Sequence, residues 1–155
     1  MRRLPVRLIV LGLAASSMVA IPLSEAASAV TPVTCSKLSA PAPKGTTSTA
    51  TISGCTNVAA TGGGGTQVTN ITKLTFVITW NAGKGTTTAK IAYKAQPSKG
   101  KCPAGTVARI GATGTVTGGT GAALKAIPKG SKYSESVCYN KTNVTTIEPG
   151  TKMVL

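Results

Sequence analysis

An all-β domain of many short antiparallel strands is what this sequence predicts, arranged as a two-sheet sandwich of Ig-like outline, with a small β-barrel as the alternative. Three observations carry that expectation. Thr and Gly dominate the chain after its first segment, and β-branched runs recur every ten residues or so. Leu74, Phe76, Ile78 and Trp80 alternate strictly with Thr75, Val77 and Thr79, a period of two that places the large residues on one face. Gly, Pro and Asn clusters punctuate the runs where turns belong.

The first segment reads as a targeting signal rather than as part of the fold. Arg2, Arg3 and Arg7 precede an apolar run from Leu8 to Leu23, and Ala27-Ser28-Ala29 supplies a small-x-small cleavage site with Val30 as the new N-terminus. Residues 1–29 are therefore expected to be a cleaved secretory signal and residues 30–155 a single disulfide-stabilised domain. The run is interrupted by Gly12, Ser16, Ser17 and Pro22 and is short for a membrane span. No other apolar run in the chain is long enough to cross a bilayer.

Val33 to Leu38 and Thr47 to Cys55 are the first two expected strands, joined by the Pro-rich link "SAPAPKG". "TGGGGT" (61–66) reads as a flexible connection. The alternating run 74–80 then turns at Asn81-Ala82-Gly83-Lys84-Gly85. It returns through Ala89, Ile91, Tyr93 and Ala95, which alternate with Thr88, Lys90, Ala92 and Lys94. That is the pattern of a half-buried hairpin. Thr106 to Thr117 is expected as a strand broken by a bulge near Gly111 or Gly114. Ala122 to Ile127 has the composition of a helical turn, stopped by Pro128. Tyr133, Glu135, Val137 and Tyr139 alternate with Ser134, Ser136 and Cys138. Pro149-Gly150 centres a type II turn ahead of a short closing run, 152–155. The count is seven to nine strands.

Four cysteines behind a secretory signal predict two disulfides in an oxidising compartment. Three pairings are open; Cys35–Cys55 with Cys102–Cys138 is favoured, because each bridge then ties segments within its own half of the chain. The spacings contain no close ligand pair and the chain has no His, which argues against zinc.

"VTCSKLS", "ISGCT" and "ITWNAGKGTTT" together resemble small secreted actinobacterial proteins of unassigned function, over roughly residues 31–94. The resemblance implies export and a β-sandwich, and it brings no catalytic residues.

Charge is the strongest functional signal. The 155-residue chain carries 17 basic residues against 3 acidic ones, a formal charge of +14. With Arg2, Arg3, Arg7 and Glu25 assigned to the leader, what remains is thirteen lysines, Arg109, Glu135 and Glu148. Such an excess creates a positive field around a small domain. Lys84, Lys90 and Lys94 on the hairpin, Lys99 and Lys101, and Lys129 and Lys132 are the candidate anion-binding residues. Their competing role is to keep a Thr-rich surface soluble. Nucleic acid is disfavoured as a partner, since one arginine and few aromatics suit neither bidentate base contacts nor stacking.

Catalysis is argued against by composition. With no His and no Asp, the one carboxylate pair is Glu135 with Glu148. Ser98 to Lys101 matches a serine–lysine motif but sits in a Pro/Gly loop. "NAGKGT" lacks two positions of a phosphate loop and joins two strands rather than a strand and a helix. Trp80 continues an unbroken apolar face, as a core residue does, and Tyr93 is read the same way; Tyr133 and Tyr139 are better placed for partly exposed contacts, and each is still read as structural. The resulting expectation is a secreted, non-enzymatic domain without cofactor or metal that associates with anionic cell-envelope polymers through its lysines. The alternative is a structural or protein-binding module meeting an unknown extracellular protein through a sheet edge or loops.

Overall fold

The computed structural model describes residues 30–97, 101–140, 142 and 144–155. The predicted signal peptide with Ala29, and Lys99 with most of the Ser98–Lys101 motif, lie outside the described residues.

Nine strands form one antiparallel sheet: β1 Thr34–Ala40, β2 Thr47–Cys55, β3 Gly64–Asn70, β4 Thr75–Trp80, β5 Thr86–Gln96, β6 Thr106–Gly119, β7 Lys132–Asn140, β8 Thr145–Ile147 and β9 Met153–Val154. Strands β1 to β8 pair in sequence order, and β1 pairs with both β2 and β8, so the sheet closes on itself. Strand β9 lies against β1 and β7 and reinforces the closure. The molecule is an eight-stranded barrel, which corrects the two-sheet sandwich and matches the alternative. Local alternation is the same in both architectures. What distinguishes them is whether the first strand also meets the last ones, a long-range pairing.

Curvature comes from small residues and irregular register. The two long strands β5 and β6 slip register between Thr88 and Ala89, and β6 slips against β7 between Thr106 and Ala108. Such irregularities bend and twist a strand. The expected break near Gly111 or Gly114 is absent: β6 runs through both. Gly114 instead stands opposite Ile91 on one side and Tyr133 on the other. A Cβ there would press on the Lys90 carbonyl and on Ile91.

The two ends of the barrel differ. A short helix α1 (Val58–Thr61) after β2, a 3-10 turn (Asn81–Gly83) after β4 and a second helix α2 (Gly121–Ala126) after β6 gather at one end. The two helices touch, and Ala60, Thr61, Ala123 and Ile127 are buried there. Gly85 lets the β4–β5 turn lie against the Thr120 carbonyl, where a side chain would clash. Helix α2 falls where its composition placed it. Helix α1 and the start of β3 replace the flexible link expected at 61–66.

The core fills the half nearest that sealed end. Phe76, Ile78 and Trp80 from β4 are buried with Ile52, Ala89, Ile91, Val116 and Tyr133. Trp80 donates its indole N–H to Thr87 Oγ1 at 2.8 Å, so its one polar atom is satisfied inside. Leu74 departs from the predicted face. It sits in the β3–β4 turn with a positive φ of 52° and is exposed. Both disulfides form as favoured, Cys35–Cys55 bridging β1 to β2 and Cys102–Cys138 tying the segment before β6 to β7.

Candidate functional site

The other end of the barrel is open. The β1–β2 link, the β3–β4 turn and the facing ends of β7 and β8 surround a cavity of about 380 Å³. Its walls are Leu38, Ala40, Ala50, Ile110 and Val137, and its rim carries Pro43, Ile71, Tyr93 and Tyr139. Eight strands give an interior that side chains can just fill or that can hold one small ligand. Here the bulky residues of β4 fill one half, and the small Ala40, Ala50 and Ala112 leave the other half open.

Polar groups stand deep in this apolar cup. Register places Ala112 between Tyr93 on β5 and Glu135 on β7, so three neighbouring strands present these side chains inward in one row. From β3, Gln67 and Thr69 face the same space. The Gln67 Nε2 donates to Thr69 Oγ1 at 3.2 Å, which leaves Gln67 Oε1 without a partner. Glu135 Oε2 is likewise buried and unpaired, and so is the Tyr133 hydroxyl, which lies close enough to Glu135 and Gln67 for each to influence the others. Two of these three residues, Gln67 and Glu135, line the same cavity, which makes it the candidate site.

Burial shapes the titration of all three ionisable groups. It pushes the Glu135 carboxyl up to about 7, an effect that the neighbouring Tyr133 hydroxyl opposes. Burial, and then the Glu135 charge, raise the Tyr133 hydroxyl well above its ordinary value. The same two causes raise Tyr93. Tyr133 is 2% exposed, in keeping with a structural role, whereas Tyr93, expected in the core, is 43% exposed at the rim.

The second carboxylate belongs elsewhere. Glu148 is buried outside the barrel wall, where its Oε2 accepts from Ser136 Oγ at 2.6 Å and from Arg109 Nε at 2.8 Å and Nη2 at 2.7 Å. Its Oε1 accepts from the Lys101 backbone N–H at 3.0 Å. The Ser136 hydrogen bond first, then Arg109, hold this carboxyl down to about 2. Ser136 follows Glu135 along β7, and successive side chains of a strand point to opposite faces. The two carboxylates therefore share no cleft, and the geometry an acid–base pair needs is missing.

The described candidate lysines surround the barrel instead of meeting in one place. Lys90 on β5 and Lys132 on β7 flank Thr115 of β6 in register, and both are exposed. Lys94 and Lys152 border a shallow groove on the same outer wall with Gln96, Thr113, Ser134 and Thr151. Lys84 and Lys129 belong to connections at the sealed end, and Lys101 precedes β6 at the open one. Among the described residues the one ion pair is Arg109–Glu148, and no three His, Cys, Asp or Glu side chains gather as a metal site. No described helix is long and apolar enough to cross a membrane.

Sequence reasoning placed Glu135 on one face of β7 with Tyr133 and Val137 but did not assign it to a cavity. Gln67 was missed outright. Hydropathy favours Val68 as the buried residue of "TQVTN", yet Val68 is 42% exposed and Gln67 only 5%. Only the pairing of Gln67 with Ala50 and Ile78 turns it inward. No protein-family model, curated protein or solved structure matches this chain.

Proposed function

We propose that this chain is an exported, non-enzymatic binding protein that holds one small, mainly apolar molecule in the open half of its barrel. The observation that carries the reading is the cavity of about 380 Å³ with unpaired Gln67 and Glu135 oxygens on its lining. A concave, apolar site with a few convergent polar groups is the usual form of a small-molecule pocket. The disulfides suit an oxidising environment, and export is consistent with the leader pattern. The test is displacement of an environment-sensitive apolar dye from the disulfide-intact protein. Dye binding that is lost in both Ser48→Trp and Ala50→Phe, two substitutions that fill the cavity from its wall, supports the reading. A dye that binds the wild type and both variants alike, or binds none, overturns it.

A second reading, association with anionic envelope polymers, is favoured by one outer wall. Lys90, Lys94, Lys132 and Lys152 stand there among Thr and Ser side chains, while Glu148 is held by Arg109 and Glu135 turns its buried Oε2 away from solvent. Its test is retention on an anionic polymer at low salt. For the remaining alternative, a module that meets an extracellular protein through a sheet edge or loops, closure of β1 on β8 leaves the loops as the surface to test.

A further inference from the structure

The cavity is more selective than its apolar walls suggest, and its polar end indicates the kind of molecule it would accept. Two of the three unpaired atoms, Gln67 Oε1 and Glu135 Oε2, are acceptors, and both residues line the cavity. The donor on Gln67 is already committed to Thr69. An alkyl chain pushed against these oxygens would leave them buried and unsatisfied, which is costly. A ligand carboxylate would set negative charge against the Glu135 carboxyl. The Tyr133 hydroxyl beside them carries one proton and can serve only one of the two oxygens, so the other still needs a donor, and the strongest donor to a buried carboxylate carries positive charge.

We infer that the cavity takes an amphiphile whose deep end is a protonated amine, directed at Glu135 Oε2 and Gln67 Oε1, with its apolar body along Ala50, Ile110 and Val137. This rests on the small-molecule reading above. The basic exterior does not prevent it. The described lysines are on outward-facing positions of strands, helix α2 and loops, where salt screens their field within about 8 Å at physiological ionic strength. The carboxyl acts inside the barrel, where a charge is felt far more strongly. The groups facing it are Tyr133 on its own strand, Tyr93 from β5 and the neutral Gln67 from β3, and no described lysine lines the cavity. The exposed Tyr93 stands at the mouth, in the same row as Glu135, where its ring can lie over an entering cation.

The experiment is a calorimetric titration of the disulfide-intact protein with n-octylamine, n-octanol and octanoate. At pH 8 octylamine is expected to bind at least about tenfold more tightly than octanol, with octanoate weakest. Because the bound carboxyl must be ionised, octylamine affinity is expected to fall by about tenfold per pH unit below 7, roughly a hundredfold by pH 5, while octanol changes little. Glu135→Gln, which preserves shape, should abolish both the amine preference and the pH dependence and leave octanol binding within about threefold. Gln67→Leu should weaken octylamine and octanol alike. Equal affinity for amine and alcohol, or tightest binding of octanoate, overturns the inference and leaves the small-molecule reading standing. Failure of all three probes together with the apolar dye overturns both.

Discussion

The rings of Phe76 on β4 and Tyr133 on β7 meet edge to face across the barrel, with 4.7 Å between their centroids. Below this bridge the interior is packed; on its other side lies the cavity, lined by Thr69, the cross-strand neighbour of Phe76, and by Glu135, two residues beyond Tyr133. Phe76→Ala is expected to cost about 3–5 kcal/mol, the loss of a large core ring and the cavity left behind. Tyr133→Phe keeps the ring contact and removes an unpaired hydroxyl, so it should be neutral or stabilising by about 1 kcal/mol. Urea unfolding followed by Trp80 fluorescence measures both.

Glu135 makes stability depend on pH in an unusual direction. Its carboxyl titrates near 7 when folded and near 4.5 when unfolded. Between those values the folded state binds more protons, so stability falls as pH rises from 4.5 and levels off above 7. The whole effect is on the order of 3 kcal/mol. Glu135→Gln should therefore raise Tm at pH 8 clearly more than at pH 4.5, read by thermal melts across that range. Equal shifts at both pH values would contradict the buried, raised carboxyl.

Glu148 acts at the opposite end of the scale. Its carboxyl is held near 2, so the stability it contributes is full above about 4.5 and is lost as pH falls toward 2. Stability should accordingly peak near pH 4.5–5, where neither carboxyl works against folding. Arg109→Met leaves the buried Glu148 charge without its cation and is expected to destabilise by about 3–5 kcal/mol at pH 7. The double variant Arg109→Met/Glu148→Gln should recover much of that loss in the same urea series.

Each disulfide should contribute about 3 kcal/mol by restricting the unfolded chain. Replacing Cys102 and Cys138 by Ser is expected to lower the urea midpoint by a corresponding amount. It should also loosen the segment that delivers the Lys101 N–H to Glu148. Peptide mapping without reduction checks the 35–55 and 102–138 pairing, and a crossed pairing would refute it.

The outer lysine wall predicts a salt effect. Retention on an anionic polymer should weaken steeply between low and physiological ionic strength, and replacing Lys90, Lys94, Lys132 and Lys152 by Gln should reduce it at low salt. Unchanged retention in that variant would assign the binding to bulk charge elsewhere on the molecule.

Much of the local structure was legible in the sequence, and the closed sheet was not. The hairpin from Thr75 to Gln96, the helical turn after Gly121, the turn at Pro149-Gly150 and the bridge partners follow from nearest-neighbour chemistry: alternation, a missing side chain or a pairing within one half. Barrel closure depends on Ser39 and Ala40 meeting Thr146 and Thr145 from the far end of the chain, and no short-range pattern encodes that contact. The cavity has the same origin. Glu135 alternates correctly with Val137, but its depth depends on Ala112 beside it, and Gln67 is turned inward against its own hydropathy by the register of β3.

The scarcity of acids has one more consequence. With no His or Asp in the sequence and Glu148 held near 2 by Ser136 and Arg109, the side chains that usually answer to acidity between pH 5 and pH 8 are missing from the described exterior. Within that interval the described side chain expected to gain or lose a proton is Glu135, inside the barrel. The proton at stake near neutrality is thus held in the hollow of the barrel and not on its shell.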